Sequence, residues 1–245
     1  MTATPAEPAQ PTTTLDVHVL RVFTDPQDAH GNELGVVFNA ADLPGELGVR
    51  LTAHLGFSET VFVDDEPKAV YRIFTPAREL KLAGHPTVGF AWALASRAAD
   101  RCVPPVLRPR LAAEVAAWRA PEDEAVWIRG ALADAPDWQF VRLAEPAQVE
   151  ALPVDATDQR SHHQFWAWID EAAGLVRART FGTDVGVPED EATGSAALRL
   201  CVQLGRPITI RQGRGSVIQA RPATDAGWAE IGGHVAADGV RTVTF

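Results

Sequence analysis

Two apolar helices, each opened by a small-residue turn, constrain the fold of this chain most. The segment Val88–Ala98 follows the turn at residues 84–87, and Ala196–Leu204 follows the turn at residues 193–195. The first helix is apolar nearly all round, which is typical of a helix buried at the centre of a domain. Alternating, β-branched segments flank both helices and predict strands. The pattern predicts a mixed α/β (α+β) fold made of two similarly organised halves.

The other segments supply strands around these helices, and turn residues separate them. A further helix opens near Pro44 and ends at Gly56. An acidic loop is expected at Pro188–Thr193, just before the second apolar helix. The predicted strands are Leu15–Phe23, Leu34–Phe38, Ser58–Asp64, Ala69–Phe74, Glu79–Ala83, His163–Ile169, Leu175–Phe181, Ile208–Arg211, Ser216–Ala220, Ala229–Gly232 and Arg241–Phe245.

The middle of the chain, Val103–Leu152, is rich in proline, alanine and acidic residues and predicts a domain boundary near residue 115. Residues 1–14 are expected to form a disordered tail. Residues 15–115 then form the N-terminal domain and residues 116–245 the C-terminal domain, with the alternative that the last strand returns to the first domain. Two such halves would point their helix N-termini into a shared cleft, which suits an anionic substrate.

Charge and rare residues narrow the possible chemistry. Cys102 and Cys201 are the two cysteines, which excludes a four-cysteine zinc or iron–sulfur site. Lys68 and Lys81 are the two lysines, so a Schiff-base enzyme has few places for its nucleophile. The net charge of −10 without a basic block argues against nucleic acid or an anionic membrane as partner. We find no transmembrane run and no signal peptide, and we expect a cytoplasmic protein.

Three segments could carry chemistry, and each also has a plain structural interpretation. Glu59, in the strand after Ser58, is by local pattern alone a solvent-facing carboxylate. His85, at a helix start after Gly84, either polarises a substrate or simply bonds to backbone. Asp190 either acts as an acid or hydrogen-bond partner beside the helix start, or complements the helix dipole together with its acidic neighbours.

These segments belong to a longer series of motifs in a fixed order. The series consists of Val22–Asp25, Gly31-Asn32, Ser58–Thr60, Arg72–Pro76 with Glu79, Gly84–Thr87, Glu189-Asp190, Ala192–Ala196 and Gln212–Gly215. Each motif is weak by itself, but the ordered set is specific. It resembles the PhzF family of phenazine-biosynthesis-like proteins, from about Val19 to the C-terminus. The family usually has proline where Glu33 and Glu191 stand, and its middle section is longer.

The resemblance implies a diaminopimelate-epimerase-like fold of two pseudo-symmetric domains, each a curled sheet or barrel around a central helix. It also implies cofactor-independent isomerisation by proton transfer at carbon, and a homodimer. The residues that match the family's catalytic and substrate-binding positions are Glu59, His85 and Asp190 as catalytic residues, and Ser58, Gly84, Thr193, Gly194 and Ser195 as substrate-binding residues. The related amino-acid epimerases place a cysteine at each helix start, and this chain has neither.

Two kinds of function remain open from the sequence. The first is an isomerase or epimerase of a small carboxylic acid, with Glu59 as proton shuttle and neither metal nor cofactor. The alternative is a catalytically silent protein of the same fold that binds a small carboxylate. The presence of Glu59, His85 and Asp190 together favours the isomerase. A metal hydrolase lacks ligands at a suitable spacing, because no His-x-x-x-His pair occurs.

Overall fold

The first half of the chain wraps strands around a buried helix. The computed structural model of the protein describes residues 13–154, 162–183 and 186–245. The predicted tail, residues 1–14, lies outside these residues except for its last two, and Thr14 already belongs to a strand. The elements are β1 (Thr14–Thr24), β2 (Asn32–Val37), α1 (Gly45–Leu55), β3 (Glu59–Asp65), β4 (Val70–Phe74), β5 (Glu79–Leu80) and α2 (Gly84–Arg97).

The middle and second half add ten strands and two helices. The middle section, for which no elements were predicted, holds four strands and a short helix. Three of these strands pair as neighbours, β6 with β7 and β7 with β8. These elements are β6 (Val106–Pro109), β7 (Val115–Arg119), β8 (Val126–Ala131), β9 (Gln139–Arg142) and α3 (Pro146–Glu150). The second half contains β10 (His163–Asp170), β11 (Leu175–Gly182), β12 (Val187–Asp190), α4 (Gly194–Leu204), β13 (Ile208–Gln212), β14 (Ser216–Pro222) and β15 (Trp228–Thr244).

One long strand ties the two halves together. The sheet runs in the order β1-β2-β3-β4-β6-β7-β8-β15-β14-β13-β11-β10-β9. The first part of β15 pairs with β8 and β14, and its second part pairs antiparallel with β1, from Thr24 opposite His234 to Thr14 opposite Thr244. The predicted domain division at residue 115 stays a prediction, because the sheet passes through it from β6 to β7.

Three element boundaries correct the sequence prediction. The two strands expected at Ala229–Gly232 and Arg241–Phe245 are parts of one strand, β15. The residues between them also pair with β1, with shifts in the register of the pairing. The acidic loop expected at Pro188–Thr193 begins as β12, which pairs with β11. The strand expected at Glu79–Ala83 ends at Leu80, and α2 and α4 begin at their glycines.

The core lies around α2 and α4, which are buried on nearly all sides. Ala91 and Leu94 of α2 and Leu198 and Cys201 of α4 belong to one hydrophobic cluster that extends over strands of both halves. A second cluster lies between α1 and the other face of the first sheet, around Leu51, Phe62 and Phe74. Burial of apolar side chains of this size stabilises a fold by about 1.5–3 kcal/mol each. Among the described helices, none has the length and hydropathy needed to cross a membrane.

Candidate active site

The N-termini of α2 and α4 meet through two glycines. A Cβ atom built on Gly84 would lie 2.5 Å from the Cα of Gly194, and one built on Gly194 would lie 2.6 Å from the Cα of Gly84. Real Cβ atoms do not approach other atoms so closely, so this contact requires glycine at both positions. The two predicted helix starts are therefore brought together at one place.

Both helix starts leave their first N–H groups uncapped. Within the described residues, neither Ala83 before α2 nor Thr193 before α4 makes a side-chain cap hydrogen bond. The first turns of two helices thus direct free N–H groups and the positive ends of their dipoles towards the same region. This is the geometry that binds carboxylates and other anions.

Glu59 and His85 face each other across a short gap beside these helix starts. Glu59 opens β3, which pairs in parallel with β2, and its side chain is 12% exposed; His85, in the first turn of α2, is 2% exposed. The Glu59 Oε2 and His85 Nε2 atoms are 3.6 Å apart. Both atoms are buried, and in the described part of the chain neither has a hydrogen-bond partner. The solvent-facing interpretation of Glu59 is therefore wrong.

The surroundings of Glu59 favour its protonated form. Burial raises the pKa of Glu59 well above its usual range, and the negative charge of Asp190 raises it further. A hydrogen bond with Ser58 opposes the shift. A carboxyl group with a pKa in the neutral range can both accept and return a proton.

His85 is uncharged at neutral pH. Burial lowers the pKa of His85 to about 3, against the opposing effect of a hydrogen bond with the Glu33 backbone. The contact between His85 and Glu59 is therefore not an ion pair. Asn32 Nδ2 lies 3.4 Å from His85 Nδ1, but its two hydrogens are taken by Asp190 Oδ1 at 2.6 Å and the Ala192 carbonyl at 3.1 Å. This leaves Nδ1 free to carry the ring proton and Nε2 to present a lone pair to Glu59.

Asp190, at the end of β12, is buried in a hydrogen-bond network. Its Oδ1 accepts from Asn32, and its Oδ2 accepts from the Thr193 hydroxyl at 2.6 Å. Gln212 Nε2 donates to the Asp190 carbonyl and to Thr193 Oγ1, both at 2.8 Å. Burial raises the pKa of Asp190 and these two side-chain donors oppose the rise, so Asp190 ionises more readily than Glu59.

Asn32 is a site residue that the sequence interpretation missed. Beyond its contacts with Asp190 and His85, its Oδ1 accepts a hydrogen bond from Ser58 Oγ at 3.2 Å. One amide thus links the segments that carry Ser58, His85 and Asp190, which are far apart in the chain. The sequence did contain a signal for Asn32, since Gly31-Asn32 belongs to the motif series. The local pattern around Asn32 did not indicate a functional role for this residue.

Five of the eight predicted site residues line a small cavity of about 50 Å³, namely Ser58, Glu59, Asp190, Thr193 and Ser195. His85, Gly84 and Gly194 are not among its described lining residues; His85 lies beside Glu59, and the two glycines pack against each other. Trp138, from the middle section, closes one side and donates from Nε1 to Ser195 Oγ at 3.0 Å. The lining residues that were not predicted as site residues are Thr75, which belongs to the motif series, and Arg78, Leu80, Ala83, Pro136, Trp138, His162, Gly182 and Val187.

The two acids that replace the usual prolines differ in what they contact. Glu191 accepts hydrogen bonds from the Arg214 backbone N–H at 2.9 Å and from Ser216 Oγ at 2.9 Å, and Ser216 Oγ in turn accepts from the Gly31 N–H at 3.0 Å. Glu191 therefore fastens the β13–β14 turn beside the site. Glu33 makes a surface ion pair with Arg241 at 3.4 Å, away from the cavity lining.

Several other parts of the chain have structural roles. Residues 213–215 form the turn between antiparallel β13 and β14, which correspond to the strands predicted at Ile208–Arg211 and Ser216–Ala220. Trp166 and Trp168 pack edge to face at 5.3 Å. Cys201 is buried, and burial raises the pKa of its thiol to about 12, whereas Cys102 is exposed. Among the described residues, no group of three His, Cys, Asp or Glu side chains is arranged to hold a metal ion.

Comparison with known proteins assigns the chain to a family. The sequence model of the phenazine biosynthesis-like proteins, PhzC-PhzF, matches residues 20–103. A trans-2,3-dihydro-3-hydroxyanthranilate isomerase from Pseudomonas aeruginosa is 30% identical over 222 residues, which cover 75% of this chain and 78% of the relative. The chain belongs to the PhzF family. It is an isomerase of that family, as its curated relatives are.

The fold agrees with solved structures of PhzF proteins. A phenazine biosynthesis protein of the PhzF family from Bacillus anthracis matches with a TM-score of 0.74 at 18% identity, covering 94% of this chain and 99% of the other. A hydroxyproline epimerase from Agrobacterium vitis matches with a TM-score of 0.59 at 13% identity, covering 95% of this chain and 93% of the other. The predicted epimerase-like fold class is confirmed.

Proposed function

We propose that this PhzF protein isomerises a small carboxylic acid by moving a proton at carbon, with Glu59 as the proton carrier and without a cofactor. The observation that carries the proposal is the unpaired pair of buried atoms, Glu59 Oε2 and His85 Nε2, 3.6 Å apart beside two uncapped helix starts. A buried polar atom without a partner is costly, and such atoms in a cavity suit a ligand that supplies the missing partner.

The helix starts would bind the carboxylate of the substrate. N–H groups at Gly84, Gly194 and Ser195 point to the region where α2 and α4 meet, and the two helix dipoles add a positive potential there. The same groups would stabilise the negative charge that develops when a proton leaves a carbon conjugated with the carboxylate. Trp138 holds the Ser195 hydroxyl in place.

Glu59 would carry the proton. Its ionised carboxylate accepts a proton from one carbon while the electron pair of the broken C–H bond enters the conjugated system of the substrate. The resulting carboxylic acid returns the proton to a second carbon, and the double bond shifts. The raised pKa makes Glu59 a strong enough base for the first step and still an acid for the second. General acid–base catalysis of this kind contributes about 10²–10⁴-fold in rate.

His85 and Asp190 would support this cycle. Neutral His85 presents the Nε2 lone pair to the protonated form of Glu59 or to a hydroxyl of the substrate. Asp190 raises the proton affinity of Glu59 through its charge, and its own position is fixed by Asn32 and Thr193. The roles of Ser58 and Thr193 are to orient Asn32 and Asp190, in addition to lining the cavity.

The relatives suggest the class of substrate. The Pseudomonas enzyme is named for an unsaturated, hydroxylated cyclic acid, and we propose a small unsaturated or hydroxylated carboxylic acid here. A cavity of about 50 Å³ is smaller than the 300 Å³ or more typical of ligand sites, so entry of such an acid requires the cleft to open. We also propose that the protein is a homodimer, on the basis of the family resemblance, and that it is cytoplasmic, on the basis of its sequence.

Exchange of substrate C–H protons with solvent distinguishes the isomerase from the alternative, a catalytically silent carboxylate-binding protein. The protein is incubated in D₂O with a panel of small unsaturated and hydroxylated carboxylic acids, and the C–H signals are followed by NMR. Deuterium uptake together with a shifted double bond or inverted centre supports the isomerase. Line broadening that reports binding, without uptake for any acid of the panel, supports the silent binder instead.

A further inference from the structure

Arg78 lines the catalytic cavity, and none of the described residues pairs with its guanidinium. It lies in the turn between β4 and β5, where the Thr75 side chain and backbone fix it: Arg78 N donates to Thr75 Oγ1 at 3.0 Å, and Thr75 N donates to the Arg78 carbonyl at 2.9 Å. The backbone is therefore held, while no ion pair or hydrogen bond of the guanidinium occurs in the described part of the chain.

The nearby Arg72 differs from Arg78 in that its guanidinium is hydrogen-bonded within the protein. Arg72, on the adjoining strand β4, is 6% exposed and binds Asp64 at 2.8 Å together with the Ala40 and Leu43 carbonyls. Arg72 is a structural residue with its donors in use. Arg78 is exposed at the rim of the cavity, in a protein with 32 acidic residues, and none of the described ones pairs with it.

The cavity otherwise repels a second negative charge. Its described lining includes two carboxyl groups, Glu59 and Asp190, and Arg78 is the one Arg or Lys among the described lining residues. In the proposed function the N–H groups at the starts of α2 and α4 bind one substrate carboxylate. A second anionic group of the substrate would be repelled by these carboxyl groups and by the net charge of −10 of the protein, unless a cationic side chain lay next to it.

We propose that Arg78 is a specificity-determining residue that binds a second carboxylate of the substrate, so that this protein acts on a small dicarboxylic acid. The inference rests on the proposed function, in which the helix starts hold the first carboxylate. The planar guanidinium matches a carboxylate with two parallel N–H···O bonds. A phosphate group in place of this carboxylate fits less well, because it carries about 1.5–2 negative charges at neutral pH and the described lining already holds two carboxyl groups.

The test compares two acids of the same size that differ in one charge. Glutarate and its monoamide, and succinate and its monoamide, are titrated into the wild-type protein, and dissociation constants are measured by NMR. Charge-assisted hydrogen bonds of an arginine predict that each diacid binds about tenfold more tightly than its monoamide. In Arg78→Gln this difference disappears while monoamide binding is unchanged, and in Arg78→Lys part of it returns.

Arg211→Gln is the matched control. Arg211 is likewise exposed and without a side-chain partner in the described chain, but it lines a different cavity beside β13. It should leave all four dissociation constants unchanged. Equal binding of diacid and monoamide to the wild type, failure of both diacids to bind, or an equal effect of the Arg78 and Arg211 substitutions would overturn the proposal. Because binding is measured without turnover, these results are independent of whether Glu59 transfers a proton.

Discussion

At the scale of single residues, the proposed chemistry depends on how Glu59, His85 and Asp190 set one another's charge. Glu59 is held near the protonated form by burial and by Asp190, and His85 is held neutral by burial. Asp190 remains the more acidic carboxyl because Asn32 and Thr193 donate to it. One carboxyl group is thus poised to exchange a proton while the other supplies a fixed negative charge.

Removal of the Asp190 charge should lower the pKa of Glu59. In Asp190→Asn we expect the pKa of Glu59 to fall, because a like charge is lost, while burial keeps it above that of an ordinary glutamate. In the proposed mechanism the ionised form of Glu59 is the base, so activity increases as the pH rises through the pKa of Glu59. In Asp190→Asn this increase should occur at a lower pH than in the wild type. An NMR titration of ¹³C-labelled glutamate carboxyls measures the shift without a substrate.

Asp170→Asn serves as the control for this titration, because Asp170 is an exposed carboxylate of β10. The Glu59 resonance should titrate there as in the wild type. A Glu59 resonance with the same midpoint in Asp190→Asn and the wild type would show that the two groups do not interact.

The sequence indicated these residues unevenly. Glu59, His85 and Asp190 were identified through the motif series, and the structure places them in one network. Local pattern alone misjudged Glu59, because its burial depends on residues from elsewhere in the chain, such as His85 of α2, and Asp190 acts on it through its charge. Asn32 and Trp138 were missed for the same reason, since their hydrogen bonds span 158 and 57 positions.

At the scale of elements, the site is made by two helix starts that meet without side chains between them. Composition and turn chemistry predicted both of these helices. They also predicted α1 with its end at Gly56. The strands of the middle section could not be predicted in this way, because their alternation is weak. Besides the local pairs β6–β7 and β7–β8, β8 pairs with the distant strand β15 and β6 with β4.

The contact between the helix starts should be sensitive to one methyl group. In Gly84→Ala the added carbon would lie 2.5 Å from the Gly194 backbone, which cannot rotate away, so we expect a loss of about 1–3 kcal/mol in the free energy of unfolding. Urea denaturation measures the change.

Gly45→Ala is a matched control, since Gly45 is the first residue of α1 and its added methyl group would meet Phe74 at an ordinary 3.5 Å. Its stability should stay within about 1 kcal/mol of the wild type, with any change towards greater stability. Equal stability of the two variants would mean that the helix starts are not in tight contact.

At the scale of the whole molecule, β15 joins the halves by pairing with β8 and β14 at one end and with β1 at the other. The site lies where these halves meet, with Glu59 and His85 from the first and Asp190 and Ser195 from the second. The two-fold plan was visible in the sequence, but the continuity of β15 was not. A movement of one half relative to the other would therefore change the distances between the site residues of the two halves.

The central claim is that Glu59 carries the proton, and the rate of C–H exchange in D₂O tests it most directly. With the acid of the panel that exchanges fastest, Glu59→Gln should lose about 10²–10⁴-fold in rate, because the isosteric amide cannot accept and return the proton. Glu230→Gln, which alters a surface partner of Arg221, should exchange like the wild type. Deuterium uptake at the wild-type rate in folded Glu59→Gln would contradict the account.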